Sequence, residues 1–165
     1  GGTFFFTLTL VDRSSRTLVE QIDALRSTLR KTRAERPFEI VAMVVLPDHL
    51  HAVWRLPEGA DRYSTRLQVF ESRFTQALKA KGVRMPRHGN GEPALWARRF
   101  WEHTIRDDDD LRAHVEYVHY TPVKHGLTDR VSAWPYSTFH RDVALGGVHR
   151  DWGVVSVGLN VSGCE

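Results

Sequence analysis

Apolar residues follow two different periods along this chain. They alternate with polar residues, or form short continuous apolar runs, in four stretches, and this is typical of strands. In three other stretches they recur every three or four positions, as on one face of a helix. The pattern predicts strands at 3–10, 38–46, 49–56 and 95–105, and helices at 17–36, 64–81 and 107–120.

Several residues mark the expected ends of these helices. Ser64 is placed to cap the second helix. The acidic run 107–110 suits the cap and first turn of the third helix, where the macrodipole favours negative charge, although four acids in a row could also bind a hard cation. Pro122 is expected to stop the third helix, so Thr121 would lie at its frayed end.

The order β-α-β-β-α-β-α predicts an α+β fold of the ferredoxin-like, split βαβ kind. It is a sandwich of one antiparallel sheet and covering helices, with an extra C-terminal helix that carries a tyrosine. In this topology the first and third strands are central. We expect a single catalytic domain at 1–143 and a Gly-rich tail at 144–165. The aromatic segment 134–140 at the end of the domain is expected to be extended.

Composition narrows the class of protein. The chain has 165 residues, 41% apolar and 26% charged, which favours one soluble globular domain. No apolar run is long enough to cross a membrane. The single cysteine, Cys164, excludes a disulfide framework and favours a reducing, cytoplasmic setting. The chain starts without Met or a signal-peptide pattern, so we expect it to begin inside a longer one.

Charge points to a polyanion partner. The net charge is +3, the isoelectric point is about 9.3, and basic residues cluster from Lys79 to Arg99. The Gly- and Pro-rich loop with Arg84 and Arg87 suits phosphate contacts, although a solvated surface has the same composition. Further along, Trp96, Arg98 and Arg99 belong to a run of aromatic and basic residues. Such a run suits single-stranded nucleic acid, and equally a strand with one aromatic face.

The predicted third strand opens with two histidines. His49 and His51 point to the same side of the strand, while Leu50 and Ala52 point to the other, towards a core. Two imidazoles on one rigid strand make half of a metal site. Taken alone, the pair favours two surface histidines on a half-buried strand, and it is the tyrosine on the third helix that raises the metal-site interpretation.

The third helix supplies a nucleophile candidate. Leu111, Val115 and Val118 are expected to form its buried stripe. Asp110, His114, Tyr117 and Thr121 lie on another face. If this helix crosses the sheet, Tyr117 comes to lie over the histidine pair. A cation on the histidines would polarise a phosphodiester, and the tyrosine would attack phosphorus to form a covalent phosphotyrosine, so that a strand is cut and rejoined without ATP.

Four motifs together resemble the REP-associated tyrosine transposases, bacterial members of the single-tyrosine HUH transposase superfamily. They are LPDHLH at 46–51, WARRFWEH at 96–103, YVHYTPVKHGL at 117–127 and WPYS at 134–137. The resemblance spans most of the chain. It implies cleavage of single-stranded DNA beside imperfect palindromic hairpins, with Mg²⁺ or Mn²⁺ as cofactor.

The same resemblance assigns residues. It implies His49 and His51 as metal ligands and Tyr117 as the nucleophile, which leaves a 5′-phosphotyrosine and a free 3′-hydroxyl. It also implies a monomer in the bacterial cytoplasm, associated with the nucleoid. Arg84, Arg87, Trp96, Arg98, Arg99 and Lys124 are the residues that we expect to contact DNA.

One position departs from the family pattern. Four residues after the tyrosine the family usually has Asn as the third metal ligand, and this chain has Thr121. The third ligand is therefore open among Thr121, a water molecule, His103 and His119. Lower activity or a preference for Mn²⁺ is expected, and an Asn at position 121 would test this.

Two other functions fit the sequence. A hairpin-DNA-binding protein without efficient catalysis would keep the basic loop and tolerate Thr121. A sheet-based RNA-binding module would use Trp96, Phe100 and Trp101 and would be indifferent to metal. Among the other tyrosines, Tyr120 competes with Tyr117 for the role of nucleophile, but it is offset from the Thr121 face.

Overall fold

A computed structural model describes residues 1–60 and 62–154 and contains a four-stranded antiparallel sheet in the order β2-β3-β1-β4. The central position of β1 and β3 confirms the ferredoxin-like arrangement. The strands are β1 Gly2–Thr9, β2 Glu39–Val45, β3 His49–Leu56 and β4 Trp101–Thr104. The helices are α1 Thr17–Glu20, α2 Ile22–Glu35, α3 Tyr63–Ala80, α4 Asp108–Lys124 and α5 Phe139–Ala144, with a 3₁₀ turn at Val131–Ala133.

The two faces of the sheet are buried by different helices. Leu50, Ala52 and Trp54 of β3 point to the face that α2 and α3 cover, where they join the larger apolar core. On the opposite face Phe5, Val53 and neighbouring residues pack with Tyr117 and Val118 of α4. Alternation along β3 therefore places His49 and His51 on the α4 side.

The first two helices differ from the prediction at their N-terminal ends. The predicted helix 17–36 is divided at Gln21, whose backbone departs from helical geometry (φ −107°, ψ 30°). Its first turn is tied to the β2–β3 corner, because the Leu18 N–H donates to the Pro47 carbonyl (3.2 Å). The cap assigned to Ser64 is wrong. Helix α3 begins one residue earlier, with Arg62 in the cap position and no side-chain cap.

The predicted strand 95–105 is also wrong over much of its length, because its register against β1 shifts. Thr7 pairs with Trp101, so an unbroken ladder would place Leu10 opposite Arg98. Leu10 instead bridges to Trp96, and two additional residues bulge out between the paired ends. Arg98 and Arg99 are exposed in this bulge.

Helix α4 is longer than predicted. It begins as expected, with the Asp107 carboxylate accepting from the Asp110 N–H (2.8 Å). It does not stop before Pro122. The proline lacks one N–H, yet the His125 N–H still donates to the Thr121 carbonyl (3.0 Å). Thr121 is completely buried, so its placement at a frayed helix end is wrong.

The face of α4 that packs on the sheet is the polar and aromatic one. Of the predicted apolar stripe, Val118 is fully buried, whereas Leu111 and Val115 are only partly buried. The fully or nearly fully buried side chains on the other face are Asp110, His114, Tyr117 and Thr121. Helix α4 therefore presents the tyrosine, rather than a purely apolar stripe, to the strand that carries the histidines.

The segment after α4 lies against the outer edge of β2. Ser137 bridges to Val44, and the Val45 N–H donates to the Tyr136 carbonyl (2.8 Å). The segment is extended only to Thr138, because α5 begins at Phe139. Beyond α5, Trp152 packs against Phe139. Residues 155–165 of the expected Gly-rich tail, with Cys164, lie outside the described residues.

Within the described ranges, each helix is too short or too polar to cross a membrane.

Candidate metal and nucleophile site

The histidine pair lies under α4 in the middle of the sheet. His49 and His51 stand opposite Thr9 and Thr7 of β1, and their ring centroids are 5.0 Å apart. Both side chains are buried, His51 almost completely. A central strand paired on both edges fixes the separation of these two imidazoles.

Each imidazole is oriented through its Nδ1 atom. The Asp48 carboxylate oxygen Oδ1 accepts a hydrogen bond from His49 Nδ1 (2.8 Å), and Thr7 Oγ1 lies within hydrogen-bond distance of His51 Nδ1 (2.8 Å). Because a carboxylate only accepts, His49 carries its proton on Nδ1 and keeps a lone pair on Nε2, and His51 does the same when its Nδ1 donates to the Thr7 hydroxyl. Among the described residues, His51 Nε2 is buried without a hydrogen-bond partner. A buried nitrogen of this kind fits a metal ligand, since a metal would satisfy it.

Burial also favours the neutral, metal-binding form of both rings. It holds the pKa of His51 well below its ordinary value, and the nearby positive charges of His49, His125 and Lys124 act in the same direction. Burial lowers the pKa of His49 as well, against the opposing effect of Asp48. Although burial acts to raise it, hydrogen bonds from Arg13 and His49 keep the pKa of Asp48 below its ordinary value, so the carboxylate stays charged.

Helix α4 brings Tyr117 onto this pair. The Tyr117 ring lies edge-on to His51, with 5.3 Å between centroids, and it also contacts Phe5. The side chain is only 2% exposed. Two turns further along the same helix, Lys124 places its Nζ 5.0 Å from the centroid of the Tyr117 ring. A phenol, two imidazoles and an ammonium therefore converge at the C-terminal end of α4.

His125 joins the site, and sequence reasoning missed it. Its ring centroid is 5.1 Å from that of His49, and ring nitrogens of His49, His51 and His125 lie within 4.8 Å of one another. Because the sequence predicts that the helix stops at Pro122, it places His125 beyond the helix. The available signal was its spacing, since His125 follows Thr121 by four residues on the same helix face.

The other candidates for a third ligand lie in different surroundings. Thr121 Oγ1 donates to the Tyr117 carbonyl (2.6 Å). His103 bonds through Nε2 to Asp110 (2.8 Å), and His119 faces Asp142 (3.4 Å) and packs edge-on to Phe139. In the described part of the chain, the group of possible ligands that contains His49 and His51 includes neither His103 nor His119.

A second group of possible metal ligands consists of His103, Asp110 and His114. Asp110 Oδ2 accepts from His103 Nε2 (2.8 Å) and from the Arg106 N–H (2.9 Å). Against the effect of burial, these bonds lower the pKa of Asp110 to about 2. Because Asp110 is already bonded to protein donors and faces the Arg106 cation, this group serves to join β4 to α4.

The residues predicted to bind DNA are spread around the domain. Arg84 and Arg87 are exposed in the loop after α3, with Arg87 Nη1 donating to the Gly91 carbonyl (2.7 Å). Arg98 and Arg99 are exposed in the bulge before β4. Trp96 is partly buried, and its ring packs on Phe70 and Phe74 while its Nε1 donates to the Glu71 carbonyl (3.2 Å). Lys124 is the member of this group that lies at the histidine–tyrosine site.

The fold and the site define an α+β domain of ferredoxin-like topology in which two strand histidines face a helix tyrosine. No family model matches the chain. An Escherichia coli REP-associated tyrosine transposase is 47% identical over 152 residues, which cover 92% of this chain and 85% of the relative. A Haemophilus influenzae protein assigned provisionally to the same family is 44% identical over 155 residues, which cover 93% of this chain and 88% of the relative.

Solved structures agree with the sequence relatives. A REP-associated tyrosine transposase bound to a REP hairpin has a TM-score of 0.83 and 44% identity, and the match covers 96% of this chain and 90% of that one. A Deinococcus radiodurans protein described provisionally as a transposase shares the fold, with a TM-score of 0.51 and 15% identity over 67% of this chain and 83% of that one. The chain belongs to the family of REP-associated tyrosine transposases.

Proposed function

We propose that this protein is a metal-dependent endonuclease and strand transferase for single-stranded DNA that acts at palindromic, REP-type hairpins. The observation that carries this proposal is the contact between the Tyr117 ring and His51, whose Nε2 is buried without a partner among the described residues. A nucleophile and half of a metal site thus come from one chain. The relative bound to a REP hairpin supports hairpin DNA as the substrate class.

His49 and His51 would hold the cation, Mg²⁺ or Mn²⁺. Their Nδ1 atoms are bonded to Asp48 and Thr7, so both rings keep Nε2 for a metal. When bound, the cation would supply Lewis acidity towards a phosphodiester oxygen and neutralise charge that develops there.

Tyr117 would act as the nucleophile. Its phenolic oxygen forms a bond to phosphorus in line with the 3′ oxygen, and the phosphorus–3′-oxygen bond breaks. The phenol loses its proton to solvent, and the departing 3′ oxygen gains one. The products are a 5′-phosphotyrosine and a free 3′-hydroxyl. Attack by a 3′-hydroxyl on the phosphotyrosine reverses the step and rejoins a strand.

Lys124 and the arginines would bring the DNA to this tyrosine. The Lys124 ammonium lies over the Tyr117 ring, where it can pair with the scissile phosphate and stabilise a phenolate. Because Tyr117 is buried, the exposed side chains of Lys124 and His125 or the last turn of α4 must move to admit a strand. Arg84, Arg87, Arg98 and Arg99 are exposed for backbone contacts, and Trp96 is proposed as a further DNA contact.

The test uses 5′-labelled single-stranded oligonucleotides that carry imperfect palindromes from the source genome. With Mn²⁺ or Mg²⁺, the wild-type protein should release a shorter labelled product that ends in a 3′-hydroxyl. Tyr117→Phe should abolish this product, because no other group supplies the attacking oxygen. The matched control is Tyr120→Phe, which removes a hydroxyl three residues away on α4 and should cut normally.

Three results would contradict the proposal. They are cutting by Tyr117→Phe, loss of cutting in Tyr120→Phe but not in Tyr117→Phe, and cutting that persists in the presence of a chelator.

Hairpin binding without efficient cleavage is the second candidate function. Thr121 favours it, because this position is a fully buried hydroxyl engaged with the Tyr117 carbonyl instead of the family's Asn. Tight gel-shift binding of DNA hairpins with no cleavage in either metal would establish it. Preference for an RNA hairpin of the same sequence would instead favour an RNA-binding module.

A further inference from the structure

The histidine pair supplies only two protein ligands, and the structure places a third imidazole beside them. Ring nitrogens of His49, His51 and His125 lie within 4.8 Å of one another, close enough for the three imidazoles to converge on a shared ion. His125 is exposed at the C-terminal cap of α4, whereas the other two rings are buried below it. The three rings thus approach one point from β3 and from the end of α4.

The surroundings of the three rings favour a cation. The helix macrodipole places partial negative charge at the C-terminal end of α4, where His125 lies. The Asp48 carboxylate is bonded to His49 Nδ1, and its charge adds to the attraction for a metal on the opposite nitrogen. His51 Nε2 is buried and lacks a partner within the described residues.

Thr121 is less suited to the third position. Its Oγ1 donates to the Tyr117 carbonyl at 2.6 Å, a bond that satisfies the buried hydroxyl within α4. A hydroxyl is also a shorter and weaker donor than the amide oxygen of the Asn expected there. His125 lies one helical turn further on, and its longer side chain reaches back to His49.

We propose that His125 is the third protein ligand of the metal, so that the cation is held by three imidazoles from His49, His51 and His125. This inference rests on the proposed metal dependence and changes its ligand set. Three imidazole nitrogens bind divalent transition metals more tightly than they bind Mg²⁺, which prefers oxygen, and their affinity rises from Mn²⁺ to Co²⁺. The remaining coordination positions stay available to water and phosphate oxygens.

The test measures metal binding directly, without DNA. Titration of the full chain with Mn²⁺, followed by electron paramagnetic resonance of the free ion, gives the affinity. His125→Ala should weaken Mn²⁺ binding about 10-fold to 100-fold or more, since even changes to groups that support a ligand cost this much. Thr121→Val should bind as the wild type does. His88→Ala, which removes an exposed histidine in the loop after α3, is the matched control and should also be unchanged.

A second variant tests the donor chemistry at position 125. His125→Asp replaces nitrogen by a carboxylate, so it should bind Mg²⁺ more tightly than His125→Ala does. Unchanged Mn²⁺ affinity in His125→Ala would overturn the inference, as would a loss in Thr121→Val equal to that in His49→Ala. Circular dichroism confirms that each variant is folded.

The experiments distinguish failure of the His125 ligand assignment from failure of the proposed nuclease activity. A wild-type protein that cuts DNA with metal while His125→Ala binds Mn²⁺ normally would leave the nuclease intact and remove His125 from the ligand set. A wild-type protein that binds Mn²⁺ through His125 but cuts no hairpin would support the ligand set and overturn the nuclease.

Discussion

Asp48 shows how much of this site depends on a single residue. It ends the corner between β2 and β3, accepts from His49 Nδ1 (2.8 Å), and pairs with Arg13 (2.7 Å). Its carboxylate therefore sets both the orientation and the tautomer of His49. A turn residue next to the histidine pair thus acts as a support for a metal ligand.

Asp48→Ala tests this role. Loss of the carboxylate should lower Mn²⁺ affinity about 10-fold to 100-fold, because His49 loses its fixed tautomer and orientation. Calorimetric titration measures the change. Asp129→Ala, at an exposed position that is not part of the group of possible metal ligands, should have no effect, and equal affinity in both variants would contradict the role of Asp48.

Glu71 gives a residue-scale prediction about stability. Burial raises the pKa of this carboxyl to about 7, above its ordinary value of 4.5. Between these two values the folded state keeps a proton that the unfolded state has lost. Its contribution to stability is therefore present below about pH 4.5 and is lost as the pH rises to 7.

Glu71→Gln should remove the loss of stability that the wild type shows as the pH rises towards 7. The variant should melt at the same temperature as the wild type at pH 4 and at a higher temperature at pH 8. Thermal unfolding followed by circular dichroism measures the difference. Glu58→Gln, at an exposed carboxyl, should track the wild type at both pH values. A Glu71→Gln variant that also tracks the wild type would contradict the effect of burial.

At the scale of elements, the segment after α4 supplies hydrogen bonds to the outer edge of β2. The β2–β3 register shifts between Ile40 and Ala42, and this leaves carbonyls at the edge. Arg141 donates to the Ile40 carbonyl (2.8 Å) and the Val41 carbonyl (2.7 Å) with two different guanidinium nitrogens. The planar guanidinium thus holds α5 against an irregular strand edge.

Arg141→Ala should lower the free energy of unfolding by about 1–2 kcal/mol, because two charge-assisted bonds to β2 are lost. Urea denaturation measures this change. The exposed Arg150, changed to Ala, is the matched control and should be neutral. Equal free energies of unfolding in the two variants would show that the Arg141 hydrogen bonds to β2 do not stabilise the fold.

The order of elements could be predicted because each depends on its own hydrophobic period. The side of β3 that carries His49 and His51 followed from alternation alone, and Tyr117 did meet them across the sheet. The bulge before β4 could not be predicted, because the register between distant strands depends on tertiary pairing. His125 escapes prediction for a local reason. Pro122 predicts the end of the helix, yet the His125 N–H still donates to the Thr121 carbonyl (3.0 Å) and the helix continues.

At the scale of the whole molecule, the site is assembled within one chain. The histidines of β3 and Tyr117 of α4 meet in the same copy, and the outer edge of β2 is covered by the chain's own segment 134–141. A covered edge disfavours pairing with a second sheet. We therefore predict a monomer of 18.9 kDa in light scattering after gel filtration, and a stable dimer would contradict it.

The proposed function depends on one covalent step, in which Tyr117 becomes joined to a 5′-phosphate. The direct measurement is to incubate the protein with Mn²⁺ and a hairpin-bearing single strand, digest the DNA and protein, and map the modified peptide by mass spectrometry. We predict a nucleotide phosphate on Tyr117, absent from Tyr117→Phe and from a sample with chelator. A modification on Tyr120, or cleaved DNA with no modified tyrosine, would contradict the role of Tyr117 as the nucleophile.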